Sequence, residues 1–290
     1  MISERFKKLI PVLIGILFLA NILAWIVVFD LSKPQVLQVS FLDVGQGDSI
    51  FIETPQHHQI LIDGGPGSTV LEKLGQNMPF WDRTIDLIVL THPEFDHMAG
   101  LIEVLKSYRI ENVLWTGVAK ETPEYEEWLN ALQKENTKII IATAGQKIKA
   151  GNIYLDVLYP FENLKGELIK DTNDTSIIAR LVFGKDSFLF TGDASKSIEK
   201  NLVDRKLNLK SDVLKVSHHG SKTANYEKFI EEVLPQVAVI EVGKDNSYGH
   251  PNQETLETLE KYGIKIFRTD INGDVKIISD GEKFLTFSEN

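Results

Sequence analysis

His92, Glu94, Asp96 and His97 put four side chains able to hold a metal ion within six residues, inside the stretch from Thr91 to Gly100. Imidazoles and carboxylates hold divalent cations that activate water. With no cysteine in the chain, any metal must be bound by His, Asp or Glu. Three more apolar runs end in the same residue types. Ile60-Leu61-Ile62 leads into Asp63-Gly64-Gly65, Phe188-Leu189-Phe190 into Thr191-Gly192-Asp193, and Val213-Leu214-Lys215-Val216 into Ser217-His218-His219-Gly220-Ser221. Tyr248-Gly249-His250-Pro251 stands a few residues beyond a further apolar run, 237–242. Singly these have ordinary readings: Asp96 as a helix-capping acid and Asp63 as turn chemistry before two glycines. Their recurrence at successive strand ends points to one metal site.

The elements around these residues fit that reading. Ile85 to Leu90 is short, apolar and β-branched, as in a strand buried on both faces. Met98, Leu101, Ile102, Leu105 and Tyr108 then repeat at spacings of three and four, the stripe of an amphipathic helix. The His92–His97 cluster therefore sits on a strand-to-helix loop, where α/β folds hold ligands. The rest of the chain alternates likewise. An opening meander is expected at 38–42, 49–53 and 59–62, with Gly45-Gln46-Gly47-Asp48 as its first turn, followed by a helix near 69–74. Further strands are expected at 112–115, 139–142, 153–158, 177–183, 187–190, 213–216 and 237–242, and helices at 123–134, 195–203, 225–233 and 253–262. A polar loop is expected at 171–175 and a β segment at the end. Mixed sheets covered by helices suit this order. His57 and His58 read as exposed hairpin residues, and Trp81, Trp115 and Trp128 as packing groups.

Residues 9–29 form an uncharged run of 21 residues, interrupted among polar types only by Asn21. As a helix the run would be about 31 Å long, enough to cross a bilayer. Arg5, Lys7 and Lys8 precede it, so the positive-inside bias keeps the N-terminus cytoplasmic and puts the remainder outside. A signal peptide would have a shorter apolar core and a small-x-small cleavage site, and a buried helix of a soluble domain would have one polar face. The expected organisation is a cytoplasmic tail 1–8, a single-pass anchor 9–29 in the cytoplasmic membrane, a linker 30–36 and one domain at 37–290. The net charge of −10 argues against duplex binding through phosphate neutralisation, although Lys215, Lys222 and Lys244 offer a local basic patch.

The phrases FLDVGQGDSIFIE, LIDGG, THPEFDHMAG, TGDAS, VSHHGS and SYGHP resemble the metallo-β-lactamase fold hydrolases, and within them the ComEC-like proteins of DNA uptake and competence. The resemblance covers about residues 37–288. It implies an αββα sandwich of two mixed sheets, here preceded by a single transmembrane helix. It also implies an active site with two divalent metal ions, zinc or manganese. His92, Glu94, Asp96 and His97 match the signature H-x-[HDE]-x-D-H. Asp63 matches the aspartate of the first motif, and Asp193 the aspartate that bridges the two metals. The chain departs from the lactamases in having Glu94 for a histidine and Asn173-Asp174-Thr175-Ser176 where many members supply another histidine.

On this reading His92 and Glu94 reach one cation, Asp96 and His97 the other, and Asp193 bridges. One of His218 and His219, with His219 favoured, completes the second site. Asp96, His218 and His250 are the expected catalytic groups, with Asp63 and Asn173 supporting from behind. The expected activity is metal-dependent hydrolysis of a phosphodiester, single-stranded DNA being the leading substrate and no protein partner being inferable. Other expectations are a phosphorylcholine-esterase-like or other ester hydrolase on envelope substrates, a lactamase or lactonase, and a metal-binding sensor without turnover.

Overall fold

The computed structural model describes residues 4–31, 35–135 and 137–289, with backbone alone for 4–8, 26 and 29–31. The chain divides into two compact units, Met1–Gln35 and Val36–Asn290. The first unit is helix α1, Glu4–Leu31, whose described apolar side chains, Leu17, Phe18 and Trp25 among them, are exposed. Among the described residues no helix is long and apolar enough to cross a membrane. The unbroken described side chains of α1 cover only 9–25. The expected span 9–29 thus falls partly outside the described residues, as do the tail 1–8 and most of the linker 30–36.

The second unit opens with β1 (Leu37–Phe41), β2 (Ile50–Glu53), β3 (Gln59–Ile62), α2 (Thr69–Asn77), β4 (Thr84–Leu90), α3 (Phe95–Ser107), β5 (Arg109–Trp115), α4 (Pro123–Glu135) and β6 (Lys138–Ile141). It continues with β7 (Lys147–Ala150), β8 (Ile153–Tyr159), β9 (Ile178–Phe183), β10 (Asp186–Phe190), α5 (Lys196–Asp204), β11 (Val213–Lys215), α6 (Glu227–Val233), β12 (Val237–Ile240), α7 (Gln253–Lys261), β13 (Lys265–Arg268), α8 (Thr269–Asn272), β14 (Val275–Ser279) and β15 (Phe284–Ser288). The polar loop expected at 171–175 contains a short 3₁₀ turn, Thr172–Thr175. Trp115 and Trp128 are buried and Trp81 is exposed.

The strands make two mixed sheets, in the orders β15-β14-β1-β2-β3-β4-β5-β6 and β13-β12-β11-β10-β9-β8-β7. Successive side chains along a strand face opposite ways, so each strand serves two layers. Ile60 and Ile62 of β3 enter the apolar cluster between the sheets, and Leu61 enters the cluster under α2, α3 and α4. Phe188 and Phe190 of β10 join the inter-sheet cluster, whereas Leu189 packs with α5, α6 and α7. Three cores thus separate four layers, helices outside and sheets inside. β3, β4 and β5 run parallel in one sheet, as do β10, β11 and β12 in the other. The loops following β3, β4, β10 and β11 carry Asp63, His92, Asp193 and His219.

Candidate metal centre

Asp63 follows β3 in the left-handed region, φ 55°, and is completely buried. Its Oδ1 accepts from the Thr91 amide at 2.8 Å, and its Oδ2 accepts from the Thr91 hydroxyl at 2.6 Å and from His97 Nδ1 at 2.8 Å. That bond places a proton on His97 Nδ1 and turns Nε2 towards the other sheet. Two glycines permit the close approach. A Cβ on Gly100 of α3 would lie 1.8 Å from the Gly64 carbonyl oxygen, and a Cβ on Gly47 2.1 Å from that of Asp96.

His92 and His219 are aimed by the same logic. The Thr91 hydroxyl proton goes to Asp63, so His92 Nδ1 donates to the Thr91 oxygen at 2.9 Å. His219 Nδ1 donates to the Glu241 carbonyl at 2.8 Å. The Nε2 atoms of His92, His97 and His219 are buried without a hydrogen-bond partner among the described residues. Asp193 Oδ2 lies 3.4 Å from Nε2 of both His97 and His219, and His219 Nε2 lies 3.5 Å from Asp96 Oδ2. These are ion-pair distances too long for hydrogen bonds to neutral rings. The Nε2 atoms of His97 and His219 facing Asp193, with the unpartnered Nε2 of His92 on a ring whose centroid lies 4.2 Å from that of His97, form a donor set that fits a divalent cation, and both zinc and manganese accept it.

The charge balance agrees. Burial, followed by the neighbouring His97, pushes His92 down to about 3, so its lone pair is free at neutral pH. Burial opposes charge on His97 and His219, but Asp193 and the other carboxylates outweigh it and raise both well above the ordinary imidazole value. Metal binding by these residues would therefore displace protons. Burial likewise opposes Asp193, and His219 and His97 hold it well below the usual carboxylate range.

Asp48 and Glu241 join the site without a signal as metal-site residues in the sequence reading, and Lys215 joins it from the expected basic patch. Asp48, His97, Asp193 and His219 offer ligand atoms within 4.8 Å of one another. Asp48, however, approaches the Nδ1 side of the rings, 3.8 Å from His97 Nδ1 and 3.3 Å from His219 Nδ1. That side already holds a cation: Lys215 Nζ pairs with Asp48 Oδ2, donates to the Gly192 carbonyl at 3.1 Å and lies 3.8 Å from Asp193 Oδ1. Asp48 therefore supports the histidines, and the Nε2 side is the one that could hold a metal ion. Lys215 is only 1% exposed, which removes it from the expected basic patch; Lys222 and Lys244 are exposed. A charged residue inside an apolar strand run, as in Val-Leu-Lys-Val and Val-Ile-Glu-Val, was the available signal for Lys215 and Glu241. Asp48 stands in Gly45-Gln46-Gly47-Asp48, a stretch that by itself signals only a turn.

The remaining expected residues surround the centre. A polar cavity of about 260 Å³ is lined by Glu94, Asp96, Asn173, Asp193, His218, His219 and His250, among others. His218 Nε2 is 3.7 Å from Asp193 Oδ2 and 3.5 Å from Asn173 Nδ2. His218 and His219 both adopt left-handed backbone, φ 49° and 51°, sending adjacent rings to different positions. His250 packs against His218 with ring centroids 5.7 Å apart. Glu94 faces the cavity rim, where Lys120 Nζ is 2.5 Å from Oε2 and the Thr172 hydroxyl donates to Oε1.

This architecture and placement agree with the comparisons to known proteins. The chain is 32% identical over 256 residues to ComE operon protein 3 of Bacillus subtilis, covering 82% of this chain and 32% of that one. It is 31% identical over 254 residues to Recombination protein 2 of Haemophilus influenzae, covering 86% and 29%. The chain thus spans about a third of the length of these relatives. In three dimensions it is similar to the metallo-beta-lactamase fold protein YhfI of Bacillus subtilis, with a TM-score of 0.54 and 14% identity over 81% of this chain and 96% of that one. The sequence pattern of the Metallo-beta-lactamase superfamily matches residues 42–243, and the chain belongs to that superfamily.

Proposed function

We propose that this metallo-β-lactamase superfamily member is a membrane-anchored phosphodiesterase acting on nucleic acid, with single-stranded DNA as its leading substrate. The observation that carries the hydrolytic reading is the meeting of the unpartnered Nε2 atoms of His97 and His219 at Asp193, which with His219 lines an open polar cavity. The name of one relative, Recombination protein 2, supports nucleic acid as the substrate class. Two divalent ions, zinc or manganese, are the expected cofactors; their chemistry is to make water nucleophilic near neutral pH and to offset phosphoryl charge.

The chain's own groups supply orientation and proton handling. Asp63 and the Glu241 carbonyl hold His97 and His219, and Asp96 and Asp193 add the negative charge that attracts cations. Burial lowers His218 and His250, so both are neutral at pH 7 and able to donate one hydrogen bond to a phosphoryl oxygen or to a leaving group. Ligation by Glu94 would require release from Lys120, so we propose Glu94 as a rim residue that ligates only after that exchange. The anchor rests on the uncharged run 9–29, the basic residues before it and the helix α1 that contains it.

The test is hydrolysis by the full chain in detergent, with manganese or zinc, of single-stranded DNA, bis-p-nitrophenyl phosphate, a phosphorylcholine ester and nitrocefin. Turnover of the DNA and of bis-p-nitrophenyl phosphate, lost in Asp193→Ala, is expected. Turnover of the choline ester or nitrocefin alone would transfer the site to another substrate class, and bound metal without any turnover would make it a sensor.

A further inference from the structure

Tyr248 is 70% exposed at the mouth of the cavity, the only Phe, Tyr or Trp among the described residues lining it. Its ring stacks on His250, with centroids 5.9 Å apart and planes 16° from parallel. His250 in turn packs edge-on against His218, whose Nε2 is 3.7 Å from Asp193. A file of three rings therefore runs from the metal-binding carboxylate out to the surface. The outermost ring keeps a face in water, a position that forgoes the burial an aromatic side chain normally gains.

The loop that presents this ring is held from within. Asn246 Oδ1 accepts from the His250 amide at 3.0 Å, and Asn246 Nδ2 donates to the carbonyls of His250 at 2.8 Å and Gly243 at 3.1 Å. A ligand stacking on Tyr248 would thus meet a platform that is already ordered. The chemistry of that ligand follows from the surroundings. A quaternary ammonium is recognised by a cage of several aromatic faces, whereas here one face is offered, and Lys170 lines the same cavity. A flat, uncharged π system suits one free face, and in a nucleic acid strand the base lies one sugar away from the phosphate.

Resting on the phosphodiester reading above, we infer that Tyr248 is a stacking platform for a nucleobase flanking the scissile phosphate, and so a residue that selects nucleic acid strands over other phosphodiesters. The experiment compares binding of fluorescent oligothymidylate and of an abasic strand of equal length by anisotropy, using the full chain in detergent with a chelator present. The KM and kcat for cleavage of each strand are measured with manganese.

Wild-type protein should bind the base-carrying strand about tenfold or more tightly than the abasic one, the increment expected of one aromatic–base stack. Tyr248→Ala should abolish that difference and raise KM for oligothymidylate without lowering kcat, while Tyr248→Phe should keep it. The inference is overturned if Tyr248→Ala binds oligothymidylate as the wild type does, or weakens both strands equally, with phosphodiester cleavage intact. Failure of the wild type to cleave either strand with manganese would refute the nucleic-acid reading and this inference with it.

Discussion

Lys215 shows how much of this site depends on single buried charges. Burial opposes its charge, but Asp48 and Asp193 more than compensate and raise its pKa. Removing it would leave Asp48 as an unpaired carboxylate in the interior, and breaking a buried pair costs about 3–5 kcal/mol. Lys215→Met is therefore expected to lower unfolding stability in urea by that amount; a loss below about 1 kcal/mol would show that Asp48 finds another partner. Glu199 is a different case. It accepts from the Ser217 hydroxyl at 2.7 Å and from the amides of Asn225 and Tyr226 at 3.1 and 2.6 Å, bracing the segment that carries His218 and His219. Burial nevertheless raises it from 4.5 to about 7. The folded state therefore binds the proton more tightly than the unfolded chain. The associated stability is complete below pH 4.5 and is lost as pH rises through 7, a decline of about 3 kcal/mol. Urea titrations of the metal-free protein at pH 4.5 and pH 8 should show this decline relative to Glu199→Gln; parallel profiles would refute it.

At the level of elements, the position of α3 against the loop after β3 decides whether His97 meets Asp63. The Gly64 amide donates to the His97 carbonyl and the Gly100 amide to that of Gly65, both at 2.9 Å, and the Gly64–Gly100 approach leaves no room for a methyl group. Gly100→Ala should push the helix outward and stretch the His97–Asp63 bond. The expected outcome is at least about 2 kcal/mol of lost stability, together with weaker zinc binding in calorimetry. Unchanged zinc affinity would mean that His97 is held by its ring contacts alone. The helix itself was readable from its apolar stripe, since Met98, Leu101, Ile102 and Leu105 are all buried. β7 was not. Lys147-Ile148-Lys149-Ala150 is a four-residue edge strand with two lysines, a pattern that protects an open edge and reads locally as a polar turn.

For the molecule as a whole, residues 36–290 contain both sheets and all three apolar cores, so this part should fold and cleave substrate without α1. The full chain should remain with membranes after carbonate extraction while 36–290 stays in the supernatant at equal kcat. A full chain extracted by carbonate would remove the anchor. The sequence by itself determined the superfamily, the strand-to-helix placement of His92 to His97, and the grouping of Asp63, Asp193, His218 and His219 at strand ends. Each of these follows from local periodicity and motif order, which are properties of neighbouring residues. Only the tertiary structure decided which ring nitrogen faces the cavity, that Lys215 and Asp48 form a buried pair, that Glu94 is engaged by Lys120, and that Tyr248 caps a file of rings. Those outcomes depend on through-space partners from distant segments, as when Ser49 donates to Glu241 across 192 positions, and no local pattern encodes them.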